Sequence, residues 1–525
     1  MVWAFLRCLW FAAFLVAACG CTHTMDWIRK GFKVGPDYIA PAIEAESEWI
    51  DGENPHLSQN LVDEGAWWSQ LQDPVLDKLT AGVRENNWTL RELGARVLAS
   101  RAELDFTRGK FYPQRQAIAG EYSRNIFNFD QGPVPAQILN LLGYQKWYNT
   151  GLAAFAVGWE VDFWGKYRRA IESQSAELEA SVAARDQGMV ILQADVAAAY
   201  VEYRVAQSQA SLARRIATFE SELVQLSKIK FEKGATSEID PRTSETAYQA
   251  TRAKIRGYEM QARVAMNRIS VLTGRPPRNL ESELGDAGLP ELPGKLIVGI
   301  PQDLIRRRPD LRQAERKVAA QSARIGVAKS ELLPALSLNG NIGVYYTTLG
   351  NFSKLGSLEG SVGPSIHWNV LNYGRLLAMV RREDAKFGET VAALENLVLD
   401  AQREVEDGMI RFLKEGEVVD ELGKGATSAR RAMELGVMQY REDATNYLWV
   451  YNLERALAQT LEELIHARGQ QLLALIATYK ALGGGWNLDD GPTEPKDLPE
   501  LNNELPKPKP VRIEDMPLPS AKIGS

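Results

Sequence analysis

Shifted by 209 residues, this chain matches itself, and that single property constrains its fold more than any other. Trp159 through Lys166 (Trp-Glu-Val-Asp-Phe-Trp-Gly-Lys) lies on Trp368 through Arg375 (Trp-Asn-Val-Leu-Asn-Tyr-Gly-Arg). Val182-Ala-Ala184 lies on Val391-Ala-Ala393, Gln193 on Gln402, Ala235-Thr236 on Ala444-Thr445, Glu245 on Glu454 and Gly274 on Gly483. Upstream a shift of 221 aligns Leu90 with Leu311, Ala102 with Ala323 and Pro113 with Pro334, so the first copy carries 12 extra residues between Pro113 and Trp159. Each copy has one plan. A helix runs to a Pro (Asp73 to Tyr112; Pro301 to Leu333). Two strand-like segments follow, then a very long helix, a break and a last helix.

The long helices carry a seam of apolar residues spaced alternately by four and three. In the first copy it runs Leu178, Val182, Arg185, Met189, Leu192, Val196, Ala199, Tyr203, Ala206, Ala210, Ala213 and Ala217, and only Arg185 is polar. The second copy repeats it from Phe387 to Ala426. An average spacing of 3.5 keeps one stripe against a partner helix along its whole length. Trp164 to Phe231 spans 68 residues, roughly 100 Å if helical throughout. A helix that long suits a tube or rod rather than an ordinary globular domain.

The strand segments alternate instead. Phe155, Val157, Trp159, Val161 and Phe163 fall on one side, Ala154, Ala156, Gly158, Glu160 and Asp162 on the other. Ile366, Trp368 and Val370 oppose Ser365, His367 and Asn369 in the second copy. Ala335 to Tyr346 alternates too, whereas the facing of Gln114 to Phe127 is not legible. Alternation with aromatics at the ends is what a membrane barrel strand needs, apolar to lipid and polar to the lumen. One chain supplies four such strands. Membrane barrels start at about eight, and an open sheet edge cannot sit in lipid. Four strands therefore demand an oligomer, and three chains give twelve. The competing reading is a soluble sandwich, but the flanking helices are too long to fold back on so small a sheet.

The rest of the chain bounds the chemistry. Arg7 precedes an apolar run, Cys8 to Ala18, too short to span a bilayer. That run ends Leu15-Val-Ala-Ala-Cys19, which resembles a bacterial lipobox, so residues 1–18 read as a signal peptide and Cys19 as the acylated first residue, with Cys21 the weaker candidate. Gly20, rather than Asp, favours the outer membrane for such an anchor. All three Cys sit at positions 8, 19 and 21, so the body holds no disulfide, Cys metal site or Cys nucleophile. The four His are scattered, and a net charge of −6 gives no footprint for nucleic acid. No nucleophile, base and orienting group occur together, so catalysis is not expected. Gly483-Gly-Gly485 reads as a helix stop and Asp310 as a helix N-cap. Trp159 and Trp368 read as interfacial anchors.

With these residues in view the chain resembles the TolC/NodT-type outer membrane factors of resistance-nodulation-division efflux systems. The resemblance runs from Gly35-Pro-Asp-Tyr38 to Trp486. Its motifs are Trp67-Trp68 with Asp73-Pro74, Trp159 to Lys166, Arg307-Arg-Pro-Asp-Leu311 with Ala314-Glu315, and Tyr479-Lys-Ala-Leu-Gly-Gly-Gly-Trp486. The fold class it implies is an α+β membrane protein. A homotrimer pools four strands per chain into a 12-stranded outer-membrane β-barrel, above a long α-helical coiled-coil barrel reaching into the periplasm. The partners it implies are a periplasmic adaptor, an inner-membrane pump and outer-membrane lipid, and it implies no cofactor. The expected divisions are 1–18 signal peptide, 19–72 acylated extended segment, 73–274 first repeat, 275–300 linker, 301–486 second repeat and 487–525 a Pro-rich disordered tail. The main rival is a soluble periplasmic coiled-coil scaffold, which explains the helices but not the paired Trp-ended strands.

The same resemblance places function at the turns after the two long helices. These are the adaptor-contacting tips, with Gly234 and Ser237 in the first and Asp443 and Thr445 in the second. Asp443 stands where Gly is usual. Leu448 and Asn452 fall at the periplasmic aperture, and Asn452 replaces an acidic residue of the family pattern. Whether Glu454 and Asp240 restore negative charge there is open. Glu160, Asp162, His367 and Asn369 are expected to face the barrel lumen. The 12 extra residues, around Phe129-Asp-Gln-Gly-Pro-Val-Pro135, are expected to loop out at the cell exterior.

Overall fold

The computed structural model describes residues 27–42, 46, 48–58, 64–126, 138, 141, 143, 147–299, 301, 307–347, 355–442 and 444–486. Cys19, Cys21, the loop at Phe129–Pro135, Asp443 and the tail 487–525 lie outside the described residues.

A two-residue strand β1 (Leu57–Ser58) and a short 3-10 segment (Glu64–Leu71) lead to helices α1 (Pro74–Asn86) and α2 (Trp88–Gly109). Strands β2 (Arg115–Ile126) and β3 (Trp147–Val161) follow, then α3 (Lys166–Glu232) and α4 (Ile239–Leu272). A single turn α5 (Glu281–Leu284) and strand β4 (Leu296–Ile297) connect to α6 (Pro309–Ser330). Strands β5 (Ala335–Tyr346) and β6 (Leu358–His367), then α7 (Arg375–Arg441) and α8 (Tyr447–Ala481), complete the order. Both long helices have 67 residues, roughly 100 Å of rise, and begin 209 residues apart. Each starts just after a left-handed Gly, Gly165 or Gly374, both at φ 80°.

Three sequence expectations are corrected. The helix expected from Asp73 to Tyr112 is two helices. Asn87 leaves the helical region (φ −67°, ψ 126°), its side chain accepts from Leu90 N at 3.0 Å, and it donates to Leu272 O at 2.7 Å. A residue that satisfies both a new helix start and another helix's end makes a stable break. Asp310 is not the N-cap of α6, because Arg308 occupies that place with Pro309 at the first helical position. Asp310 instead takes a two-pronged pair from Arg308 at 3.0 and 2.7 Å. The seam of α3 is buried from Leu192 to Ala217, but its upper end buries the neighbouring stripe Ser173, Ala176, Ala180 and Ala183. There the partner is α6, through Ala319 and Ala320, rather than α4.

The main core sits midway along the helices. Trp67 is 1% exposed, stacks on Tyr479 at 5.3 Å and meets Trp68 edge-on at 5.8 Å. Asp73 caps α1 through Val75 N at 2.9 Å and accepts from Tyr200 OH at 2.6 Å. Arg204, fully buried, donates to Tyr200 OH at 2.9 Å and to Leu284 O at 2.6 Å. Residues 275–299 are thereby drawn into the core, where Leu280, Leu284, Leu296 and Val298 are buried and β4 pairs in parallel with β1.

Candidate functional site

The four long strands form one antiparallel sheet in the order β2-β3-β5-β6. Register decides which side chains share a face. Ile118 lies opposite Phe155, Phe155 opposite Ile342, and Ile342 opposite Gly360. By the same registers Tyr122, Val157, Leu338, Val362 and Ile366 fall on that face. The other face carries Glu121, Ser123, Thr150, Glu160, Asn339, Asn341, Ser361, Ser365 and His367. The facing of the first strand, illegible in its sequence, is thus fixed by its partner. The apolar face is bare: Ile118 is 86% exposed and Val362 80%. The polar face is cross-linked along the ladder. Asn339 Nδ2 donates to Ser365 Oγ at 2.8 Å, Ser361 N to Asn341 Oδ1 at 3.0 Å, and Asn125 Nδ2 to Thr150 Oγ1 at 2.9 Å. Gly151 leaves room for the Tyr346 ring, which would sit 2.3 Å from any Cβ there.

At the helical end of the sheet the two copies are tied identically. Trp159 Nε1 donates to Phe111 O at 3.1 Å, and Trp368 Nε1 to Leu332 O at 3.0 Å. Each indole clamps a strand to the end of the preceding helix, which adds a structural duty to the expected anchor. Glu160 and His367 are brought together around a cavity of about 170 Å³ with Asp162, Lys166 and Glu331. Lys166 Nζ bridges Glu160 at 3.2 Å and Glu331 at 2.8 Å. Asp162 has a different job from the one its alternation suggested. It lies past the end of β3 and accepts from Tyr167 N at 2.9 Å and Arg168 N at 3.1 Å, so it neutralises the start of α3. Asn369 lies past β6 and is exposed.

The hairpin tips are at the far end. Gly234 adopts φ 72°, is exposed and has open space where a Cβ would stand. Ser237 Oγ accepts from Ile239 N at 3.3 Å at the start of α4, and Thr236 Oγ1 donates to Asp240. In the second tip Asn446 caps α8 by accepting from Trp449 N at 3.1 Å, and Thr445 is half-buried beside it. Lys230 Nζ donates to Tyr440 O at 3.1 Å and holds the two tips together. Leu448 and Asn452 are exposed on one face of α8, and Arg455, one turn further on, is exposed there too. The sequence reading missed Arg455, though its i+3 spacing from Asn452 was a usable signal.

Glu454 does not join that face. It is 5% exposed and turned into the bundle, where its carboxyl sits beside that of Glu220 on α3. Burial, then the Glu220 charge, pushes Glu454 up to about 8. Burial raises Glu220 as well. Beside the pair a groove of about 810 Å³ runs between α3, α7 and α8, lined by Phe219, Val437, Arg215, Arg430 and Arg441. Among the described residues no group of three or more His, Cys, Asp or Glu is placed to hold a metal ion, and no helix is long and apolar enough to cross a membrane.

The family model described as outer membrane efflux protein matches residues 80–275 and 300–484. Nodulation protein T of Rhizobium leguminosarum bv. trifolii is 29% identical over 483 residues, covering 89% of this chain and 97% of that protein. The toluene efflux pump outer membrane protein TtgF of Pseudomonas putida is 28% identical over 468 residues, covering 87% and 95%. Among solved structures, the outer-membrane channel OprN superposes with a TM-score of 0.78 at 29% identity, over 86% of this chain and 99% of that one.

Proposed function

Since the chain belongs to the outer membrane efflux protein family, we propose that it is the exit duct of a tripartite efflux pump, a passive conduit rather than an enzyme. The protein resides in the outer membrane. The observation that carries the reading is the sheet: four strands, bare apolar groups on one face, a hydrogen-bonded polar face on the other, and edges at β2 and β6. In lipid those edges must be paired. Three protomers, edge to edge, close a 12-stranded barrel with the polar face to water. The paired 67-residue helices then continue the wall into the periplasm, each protomer built from two copies of one unit. A periplasmic adaptor meets the tips at Gly234, Ser237, Asp443 and Thr445, and an inner-membrane pump supplies the energy. Cys19 carries the acyl anchor.

Leu448 and Asn452 close the conduit at its periplasmic end. Three Asn narrow it by size and hydrogen bonding without a focused negative potential, and Arg455 on the same face adds positive charge. Asn452→Asp is expected to raise single-channel cation preference several-fold. An unchanged reversal potential would remove Asn452 from the aperture.

Membrane fractionation with cross-linking tests the duct. The expected product is a trimer in the outer membrane. Recovery as a soluble monomer in the periplasm would favour a coiled-coil scaffold. A deletion strain tested against a toxicant panel identifies the cargo.

A further inference from the structure

We propose that Glu220 and Glu454 form a buried proton-binding site that latches the two hairpins together, so that opening the tip releases a proton from each protomer. The inference rests on the duct reading for what "opening" means, but the site itself stands on geometry. Glu220 belongs to α3 and Glu454 to α8, so the pair bridges the first copy's hairpin to the second's. Each residue is 5% exposed. One oxygen of Glu220 is satisfied by Thr251 Oγ1 of α4 at 3.0 Å. The Oε2 atoms of both residues are buried and no donor group of another residue reaches either. Two buried acceptor oxygens with no protein donor are satisfied by one proton shared between the two carboxyls.

The surrounding charges do not replace that proton. From α4, Lys254 approaches, but its Nζ is held by Glu462 of α8 at 3.0 Å to both carboxylate oxygens. Tyr447 and Tyr451 stack at 6.2 Å between the pair and the tip, and burial with the Glu454 charge raises Tyr447, so it stays a neutral phenol. From α3, Arg215 lines the groove that Glu454 borders, and from α7 so do Arg430, Arg431 and Arg441 with Glu434. These guanidinium groups line an open groove, where water screens them, and no hydrogen bond or ion pair connects them to Glu454.

Position makes the site consequential. Glu454 is seven residues past the start of α8, roughly 10 Å from the tip. Asn452 lies two positions earlier, roughly on the opposite side of the same helix. Anything that separates α3 from α8 therefore moves the face that carries Leu448 and Asn452. Separation also admits water, and a solvated carboxyl returns to its ordinary range and loses its proton. By linkage, a transition that releases a proton is promoted as pH rises. The sign follows from the raised affinity. The closed form holds the proton up to about 8, and an exposed glutamate only to about 4. Between these the closed form binds more protons than the open or unfolded chain, so its stability falls as pH rises through that window and is level above it.

The test uses the full-length protein in lipid, with two readouts between roughly pH 6 and pH 10, which bracket the titration. Infrared difference spectra are expected to show a protonated carboxylic acid that disappears near pH 8. Single-channel open probability is expected to rise with pH, by up to about tenfold per pH unit for each proton released, and so by up to three such factors where the three protomers open together. Glu454→Gln is expected to remove both responses. Glu220→Gln removes the same shared proton and serves if the first variant does not assemble. Absence of the acid band, or a variant with the wild-type pH profile, would overturn the proposal. A protein that conducts at every pH with level open probability also overturns the latch but leaves the duct intact. A protein that never conducts overturns the duct reading, and the infrared band then decides the proton site alone.

Discussion

Trp67→Ala is expected to cost about 3–5 kcal/mol, the range for removing a fully packed large aromatic. The loss is concentrated because Trp67 joins the segment before α1 to the end of α8. Its ring stacks on Tyr479 near the end of α8, abuts Trp68, and closes over Gly484, where an added Cβ would stand 3.0 Å from the ring. Tyr479 OH in turn donates to Gln70 at 2.9 Å. The hole would fall in the cluster where α1, α3 and α8 meet β1 and β4, so both copies should loosen together. Thermal unfolding followed by helical circular dichroism is the direct measurement. Trp88→Ala provides the contrast, since that residue is 67% exposed, and little change is expected there.

The second large effect separates the two faces of the sheet. Ile118→Lys is expected to block stable insertion, because a lysine facing lipid near the bilayer midplane costs about 2–4 kcal/mol, repeated in every protomer. Ser361→Lys, on the polar face, is expected to insert normally and to change only conductance or ion preference. Ile118 on β2 and Ser361 on β6 lie on the two edge strands and face opposite ways, as the registers through Phe155 and Asn341 establish. Heat-modifiable migration of the assembled protein reads insertion. Equal tolerance of both substitutions would mean that neither face meets lipid.

Much of this architecture is legible in the sequence because it rests on periodic signals. The long helix read from Trp164 to Phe231 is found at Lys166–Glu232, since the Gly165 turn and the seam are both local. The αL turn at Gly234 and the helix stop at Gly483, φ 78°, are equally local. What the sequence hid depends on partners. The break at Asn87 needs the carbonyl of Leu272, 185 residues away. The upper seam of α3 changes stripe because α6 replaces α4 as its neighbour, which no single helix can announce. Asp162 alternates correctly for a polar face, yet the nearby start of α3 captures it. At the tips, Leu448 and Asn452 follow from the family resemblance, whereas the face of α8 that they share depends on how that helix packs. Glu454 is in sequence a candidate aperture charge, and only packing against α3 turns it inward. Periodicity therefore exposes walls, whereas the groups that gate a wall are set by contacts distant in sequence.

A four-stranded sheet with open edges is expected to become a closed, water-filled barrel by association. Reconstitution of the purified full-length protein into planar lipid bilayers tests it most directly. Discrete, uniform conductance steps are expected from a species that migrates as a trimer, with Ile118→Lys protein giving none. A monomer that leaves the bilayer silent, or steps of irregular size unaffected by Ile118→Lys, would contradict it.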